Sequence, residues 1–181
     1  MKLDLSKRGL TSAQFSDLPL PPVETLEELD LSHNKLTWLP DGIGGFTSLR
    51  HLSFYDNDIT FVHDAIWRLA KLETLNLSVN RIDHLGEGIG DLTSLRMLDL
   101  GHNALTSLPH ALGRLKTLEF LYLTDNRLTD LPLTLIGLES LRYLNGERRL
   151  QGVLVGLVMK KSKGRADPRK LNQLLTARFA S

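Results

Sequence analysis

The sequence predicts a solenoid, a fold in which one structural unit is stacked many times along the chain. Leucine supplies 41 of the 181 residues, although all apolar residues together make up only 41% of the sequence. Self-similarity with a fixed period of about 20 to 50 residues is the signature of stacked-repeat architectures. Here the period is 23 residues, and six leucines follow it without a slip: Leu26, Leu49, Leu72, Leu95, Leu118 and Leu141.

Each repeat also has a constant internal pattern, L-x-x-L-x-L-x-x-N-x-L-x-x-L-P-x-x-I-x-x-L-x-x. The L-x-L alternation has a period of two residues, which suits a strand with one buried face. The Leu-Pro step favours extended backbone and a break before the next apolar group. The asparagine side chain can both donate and accept hydrogen bonds, so we expect it to bond backbone groups where the strand turns away. These asparagines are Asn34, Asn57, Asn80, Asn103 and Asn126.

The pattern resembles the 23-residue intracellular type of leucine-rich repeat, similar to the repeats of the Ras-associated group and their bacterial counterparts. The resemblance covers about residues 3–145. It implies an α/β solenoid, a leucine-rich repeat arc with short parallel strands on the concave side and helical or 3₁₀ turns on the convex side. It also implies that the concave face binds proteins.

Three regions follow along the chain. Residues 1–25 contain a half repeat, with Arg8 in the asparagine position, and a cap that we expect to form a short helical turn before a proline-stiffened crossing. Residues 26–145 contain five full repeats and the start of a sixth. Residues 146–181 form a C-terminal cap and basic tail.

Two predictions concern this last region. Residues 150–159 are apolar, and they either cover the last repeat, for example as an added strand, or form an exposed segment for oligomerisation or a partner. From about residue 168 to 179 we expect a terminal amphipathic helix, with Asp167 as its N-cap and Pro168 in its first turn. Its apolar face would carry Leu171, Leu174, Leu175 and Phe179.

Charge is divided unevenly between the repeats and the tail. Residues 1–144 hold 13 basic and 19 acidic side chains, a balance of −6, whereas residues 145–181 hold nine basic and two acidic, a balance of +7. The net charge of +1 therefore combines an acidic array with a basic tail. The basic residues of interest in the tail are Lys160, Lys161, Lys163, Arg165, Arg169 and Lys170.

The residues that flank the strand leucines form columns along the expected concave face. One column alternates in sign and predicts a ladder of ion pairs between adjacent strands, for which we favour a structural role. Its members are Glu27, Arg50, Glu73, Arg96, Glu119 and Arg142. Two further columns become apolar and aromatic towards the C-terminal half, where they place Met97, Phe120, Tyr122 and Tyr143 on neighbouring strands.

Aromatic residues and methionine within polar surroundings are typical of binding hot spots. The sequence therefore predicts a protein-binding patch at these four residues, extended by Tyr55 and by acidic residues that would steer a basic partner. The acidic residues are Asp30, Asp56, Asp99 and Asp125. Two alternatives stay open: the tail folds over the aromatic residues, or the aromatic residues simply suit strands.

The sequence offers no motif for catalysis. Cysteine is absent, which excludes disulfides, thiol nucleophiles and cysteine-ligated metals, and no phosphate-binding loop, H-E-x-x-H or G-x-S-x-G motif occurs. We therefore expect a protein without enzymatic activity, cofactor, metal or small-molecule substrate. The N-terminus does not resemble a secretory signal, so we expect a cytoplasmic protein.

The sequence therefore favours a protein-interaction scaffold that binds a protein partner on the concave face. The alternative is that the basic tail binds nucleic acid or an anionic membrane, with the repeats as its carrier. A solvated basic end that offsets the acidic repeats would explain the same charges. Neither the partner nor the oligomeric state can be inferred from the sequence.

Overall fold

The computed structural model describes residues 1–39, 41–145 and four residues of the C-terminal region, Val155, Met159, Asp167 and Arg169; of Tyr143 and Asn145 it describes the backbone alone. Seven short strands form one parallel sheet in chain order, and from β2 onward each strand pairs with the next at an offset of 23 residues. The predicted α/β solenoid is therefore confirmed. The strands are β1 Lys2–Asp4, β2 Glu28–Asp30, β3 His51–Ser53, β4 Thr74–Asn76, β5 Met97–Asp99, β6 Phe120–Tyr122 and β7 Tyr143–Asn145.

Helical turns connect the strands on the opposite side of the array. The N-terminal cap contains a short α-helix, α1 (Ser12–Ser16), which begins with a capping box between Thr11 and Gln14. Five 3₁₀ helices follow, one in each full repeat: Asp41–Gly45, Asp64–Arg68, Glu87–Asp91, His110–Arg114 and Leu133–Gly137. None of the helices that the structure describes is long and apolar enough to cross a bilayer.

The core lies between the sheet and the 3₁₀ helices. The central leucine of each strand from β2 to β6 is almost completely buried, while its two neighbours stay partly or fully exposed. The leucines that end the convex segments also contribute to the core: Leu69, Leu92, Leu115 and Leu138 are all buried. Because every repeat contributes the same set, the apolar core is continuous from the N-terminal cap to Leu144.

The repeated asparagines join each repeat to the one before it. The Asn57 side-chain amide donates to the carbonyl of Phe54 in its own repeat and to that of Leu31 in the preceding repeat. Its Oδ1 atom accepts the backbone N–H of Leu36. Asn80, Asn103 and Asn126 make the same set of bonds one repeat further on each time. The structural role predicted for these asparagines is confirmed.

Glycines allow the 3₁₀ helices to approach one another closely on the convex side. A β-carbon at Gly44 or Gly113 would overlap the backbone carbonyl group of the following repeat, at Ala65 and Thr134 respectively. Gly90 of the third full repeat likewise approaches the Ala111 carbonyl of the following repeat. The second full repeat differs, because it has Trp67 at this position, and the Trp67 indole ring lies against Gly88. The bulky Trp67 therefore occupies the space that glycine leaves between two neighbouring repeats.

The C-terminal region is described at four positions only. Val155 and Met159 are helical, so the suggestion of an added strand over residues 150–159 is wrong at these two residues. Arg169 is also helical, and its backbone N–H donates to the Asp167 carboxylate over 2.8 Å, which confirms Asp167 as an N-cap. The remainder of the expected helix, and the covering role of residues 150–159, lie outside the described residues.

Candidate protein-binding surface

The exposed face of the sheet is built from the first and third residues of every three-residue strand. In parallel strands paired in register, residues at the same position lie about 4.8 Å apart and point to the same side. The repeat therefore converts a spacing of 23 residues in sequence into columns of adjacent side chains. The residue type in each column changes along the array, so different parts of the face offer different chemistry.

The N-terminal half of the face is polar and contains a shallow concavity of about 230 Å³. Lys2 forms an ion pair with Glu28 at its edge, over 3.4 Å. Further along, the His51 Nδ1 atom and the Thr74 hydroxyl lie 2.9 Å apart, within hydrogen-bonding distance. Met97 closes the concavity on the side of the C-terminal repeats. His51 and Thr74 were not predicted from the sequence, because neither residue type is distinctive in one strand alone.

The predicted aromatic patch lies on the other half of the face. Met97 of β5 is paired in register with Phe120 of β6, and Tyr122 follows two residues later on the same face. Phe120 is 37% exposed, whereas Met97 and Tyr122 are half-buried. Tyr143 is paired in register with Phe120, but its side chain lies outside the described residues. The structure therefore brings three of the four predicted side chains together.

Two of the predicted acidic residues have a structural role at the C-terminal ends of their strands. The Asp30 carboxylate accepts the backbone N–H of Ser32 over 2.9 Å, and the Asp99 carboxylate accepts that of Gly101 over 3.0 Å. Asp4 makes the same bond to Ser6, and this hydrogen bond lowers the pKa of the Asp4 carboxyl below its ordinary value. These aspartates stabilise the turn at the end of each strand, so their presence does not require a ligand.

The other two acidic residues lie in the loop that follows each strand. Asp56 and Asp125 adopt positive φ angles of 55° and 52°, and each has a histidine partner in the preceding repeat. His33 Nδ1 lies 2.7 Å from an Asp56 carboxylate oxygen, and His102 Nδ1 lies 3.0 Å from Asp125. Tyr55 contacts His33 edge-on, with ring centroids 5.1 Å apart. These residues lie in the loops after the strands, outside the three-residue strands that carry Met97, Phe120 and Tyr122.

Ion pairs between adjacent strands form part of the predicted charge ladder. Arg50 pairs with Glu73, and Arg96 binds Glu119 through its Nε and Nη2 atoms at 2.9 and 2.5 Å. Glu119, whose side chain is only 12% exposed, also contacts Arg142 over 3.4 Å. The predicted ladder is therefore confirmed at these three pairs.

Both ring nitrogens of His63 make polar contacts. Several other repeats have proline at this position. The His63 Nδ1 atom accepts the backbone N–H of Ala65 over 3.2 Å, and its Nε2 atom lies 3.1 Å from the Asp41 carboxylate. Among the residues that the structure describes, no group of three or more His, Asp or Glu side chains is arranged to hold a metal ion.

The candidate tail residues lie almost wholly outside the described part of the chain. Arg169 alone is described, and it is exposed. Lys160, Lys161, Lys163, Arg165 and Lys170 are among those that are not described.

The repeats that build this face match a known family. The leucine-rich repeat family model matches residues 24–82 and 80–128, which together cover more than half of the chain. The chain belongs to the leucine-rich repeat family. Proteins with this fold generally mediate protein–protein interactions.

Solved leucine-rich repeat structures resemble this one closely. A leucine-rich repeat protein from Leptospira interrogans has a TM-score of 0.69 and 35% identity, over 75% of this chain and 36% of that one. An internalin from Listeria monocytogenes has a TM-score of 0.62 and 26% identity, over 73% and 39% of the two chains. The leucine-rich repeat ectodomain of a plant membrane receptor kinase from Arabidopsis thaliana, solved in complex with Casparian strip integrity factor 2, has a TM-score of 0.67 and 30% identity, over 80% and 18%.

The C-terminal region is similar to a different family. Residues 138–179 match the model of the GatB domain. A 33-residue stretch is 54% identical to the B chain of the aspartyl/glutamyl-tRNA(Asn/Gln) amidotransferase of Clostridium acetobutylicum, covering 18% of this chain and 7% of that protein. The corresponding chain of the Acaryochloris marina enzyme is 47% identical over 38 residues, which is 21% of this chain and 8% of that protein. The chain therefore spans only a small part of these relatives and less than half of the solved repeat proteins.

Proposed function

We propose that this protein is a non-enzymatic, cytoplasmic interaction module that binds a protein partner on the sheet face of its repeats. The contact would be centred on Met97, Phe120 and Tyr122. The exposure of Phe120 carries this proposal, because the same register position holds Lys2, Glu28, His51 and Thr74 in other strands. The fold accepts a polar residue at this position, so it does not require an exposed phenylalanine.

The family supports this choice of face and of partner class. Leucine-rich repeat proteins present their strands as an extended binding surface. One of the similar solved structures, the plant receptor ectodomain, was determined in complex with a factor. An aromatic side chain that is partly exposed among polar neighbours is the kind of anchor on which interface energy concentrates.

An affinity pull-down from the native host tests the proposal. The double variant Phe120→Ala with Tyr122→Ala should lose a partner that the wild-type protein captures, because both anchors of the patch are removed. The matched control is His51→Ala with Thr74→Ala, which alters the polar half of the same face and should retain that partner. If both double variants captured the same proteins as the wild type, while keeping their circular dichroism spectra, the proposed patch would be wrong.

A second candidate function is RNA binding by the C-terminal region. Two observations favour it: residues 145–181 carry a charge of +7, and their similarity is to one chain of an enzyme named for its tRNA substrate. Phosphate contacts made by lysine and arginine weaken steeply as salt is added. We expect the full chain to bind tRNA at low salt and to release it at about 0.3 M salt, because each phosphate contact is weakened by added salt.

Electrophoretic mobility shifts with unmodified tRNA would measure this binding. Changing Lys160, Lys161 and Lys163 to glutamine should abolish the shift, whereas changing Lys2, Lys7 and Lys35 to glutamine removes the same charge from the repeats and should leave it. Binding to anionic vesicles without binding to tRNA would instead support the membrane alternative. Absence of both would contradict any anion-binding role of the tail.

A further inference from the structure

A second exposed aromatic surface lies outside the sheet face, at the start of the convex segments. Trp38 is 48% exposed and Phe61 is 51% exposed. The two residues are partners in an isolated parallel bridge between adjacent repeats, so their side chains project to the same side. We refer to Trp38 and Phe61 as the aromatic pair.

The following repeats show that the fold does not need these two side chains. At the same position the chain has His84, Ser107 and Asp130, and all three are exposed. The backbone around Trp38 is also held independently of its ring. The buried Ser12 hydroxyl donates to the Trp38 carbonyl over 2.8 Å and accepts its N–H over 3.1 Å. A serine in place of Trp38 would therefore leave these bonds intact.

Concave space adjoins each member of the aromatic pair. Trp38 borders a cavity of about 490 Å³ whose walls include Leu20, Val23 and Phe46. Phe61 borders a cavity of about 660 Å³ next to the buried Trp67. The exposed Trp38 and the buried Trp67 thus each border one of these cavities, in a sequence with only 6% aromatic residues. Apolar side chains of a partner could enter both cavities while they contact the exposed rings.

The charges around the aromatic pair define the chemistry of the partner. The cavity walls carry four carboxylates, those of Asp41, Asp64, Glu87 and Asp91, and one guanidinium group, that of Arg68. With neutral histidines their formal charge is −3, and Arg114, which pairs with Asp91 over 3.8 Å, reduces the local balance to −2. The side chains of Asp41 and Asp91 are 78% and 64% exposed, so a partner can reach their carboxylates. Hydrogen bonds from the backbone N–H groups of Ala111 and His110 hold the pKa of Glu87 below its ordinary value.

We propose that the aromatic pair and its acidic surroundings form a second docking surface, for a basic amphipathic helix of a partner protein. The apolar stripe of such a helix would pack on Trp38 and Phe61, and its lysine or arginine residues would face Asp41 and Asp91. This surface is separate from the sheet face, so a protein that also binds a partner there, as proposed above, would hold two partners at once. The proposal does not depend on the binding role of Phe120.

The test measures the fluorescence anisotropy of a labelled model helix about five turns long, with leucine on one face and lysine on the other, as full-length protein is added. We expect saturable binding that weakens at least about tenfold in Trp38→Ser and in Phe61→Ser, because each ring is an anchor of the interface. Both variants should keep the wild-type melting temperature within a few degrees, because Ser107 occupies the same position in another repeat. The same helix with glutamate in place of lysine should not bind.

Matched variants separate this surface from unspecific attraction to an acidic protein. Asp41→Lys should weaken binding about fivefold, whereas Asp130→Lys changes the net charge equally at the other end of the repeats and should not weaken it. Phe120→Ser, on the sheet face, should also bind like the wild type. If Phe61→Ser bound as tightly as the wild type, or if Asp130→Lys weakened binding as much as Asp41→Lys, the proposal would be overturned.

The proposal would also be overturned if the surface were covered by the chain's own C-terminal region or by a second copy of the chain. In the free protein Trp38 should be quenched readily by acrylamide. If it were protected, and if removal of residues 166–181 restored quenching, the surface would belong to the chain's own C-terminal region. If sedimentation showed a dimer that Phe61→Ser dissociates, the occupant would be a second copy of the chain.

Discussion

Replacing Val79 by asparagine should stabilise the protein by about 1 kcal/mol. Val79 has a φ angle of 56°, and it shares this left-handed conformation with the equivalent residues of the other repeats, which are Lys7, His33, Asp56, His102 and Asp125. A branched side chain is unfavourable there, because its β-carbon substituents crowd the following carbonyl group. Asparagine and aspartate tolerate this conformation much better.

The conformation of Val79 cannot relax, because both of its backbone groups are bonded across the repeats. Its N–H donates to the Gly101 carbonyl over 3.0 Å, and its carbonyl accepts the N–H of Asn57 over 3.1 Å. The left-handed conformation costs about 1–2 kcal/mol for a residue with a β-carbon. Loss of the partial apolar burial of Val79 offsets about 0.5 kcal/mol of this. The net gain is therefore about 1 kcal/mol, which raises the melting temperature by about 2–4 °C in a chain of this size.

Urea unfolding, followed by circular dichroism, measures the change directly. Val79→Thr is the matched control: it retains the branched β-carbon and should not be stabilised. Val79→Gly should gain less than Val79→Asn, because glycine also increases the conformational entropy of the unfolded chain. If Val79→Asn were no more stable than Val79→Thr, backbone strain at this position would be refuted.

Three further changes test the packing between repeats. Asn57→Ala should destabilise the protein by about 2 kcal/mol in urea unfolding, because it leaves the buried N–H of Leu36 without a partner and removes one of the two amide donors from the Leu31 and Phe54 carbonyls, which keep Asn34 and Asn80. A loss below about 1 kcal/mol would contradict the bridging role. Gly113→Ala should cost about 2 kcal/mol through overlap with the Thr134 carbonyl, whereas Gly42→Ala, where a β-carbon meets nothing, should be nearly neutral. Glu87→Gln should cost about 1 kcal/mol at pH 7, because the carboxylate caps the next 3₁₀ helix at the N–H groups of His110 and Ala111. The pKa of Glu87 is lowered in the folded state, so the stability that the carboxylate contributes is present above its ordinary pKa of 4.5 and is lost as the pH falls below that value. Melting curves from about pH 7 to about pH 3 should therefore show the melting temperatures of the wild type and Glu87→Gln converging.

Regularity explains why so much of the fold could be predicted. A leucine pair such as Leu29 and Leu31 has one interpretation when the same pair returns every 23 residues with an asparagine three places later. The role of Asn57 followed from its donor and acceptor groups, and the pairing of Arg96 with Glu119 followed from opposite charges at the same register. Each of these predictions needs only the repeat period and the spacing of parallel strands.

The candidate sites were less predictable, because exposure depends on the surroundings of each side chain. Asp30 and Asp99 suggested a surface that attracts basic partners, but the structure shows their carboxylates bonded to the turn two residues later. Trp38 and Phe61 were not predicted as exposed anchors, because they lie outside the strands, beyond the columns of the sheet face. A comparison of the repeats with one another would have drawn attention to them, because the same position is polar in the next three repeats.

The sequence by itself determined the period, the strands, the buried leucines and the division of charge, since each depends on residue spacing along a regular backbone. Only the tertiary structure decided which side chains remain free for a partner. Exposure and hydrogen bonding are set by groups that the fold brings together, such as Ser12 beside Trp38 and Ser32 beside Asp30. Those contacts depend on how the turns pack, which a leucine pattern alone does not specify.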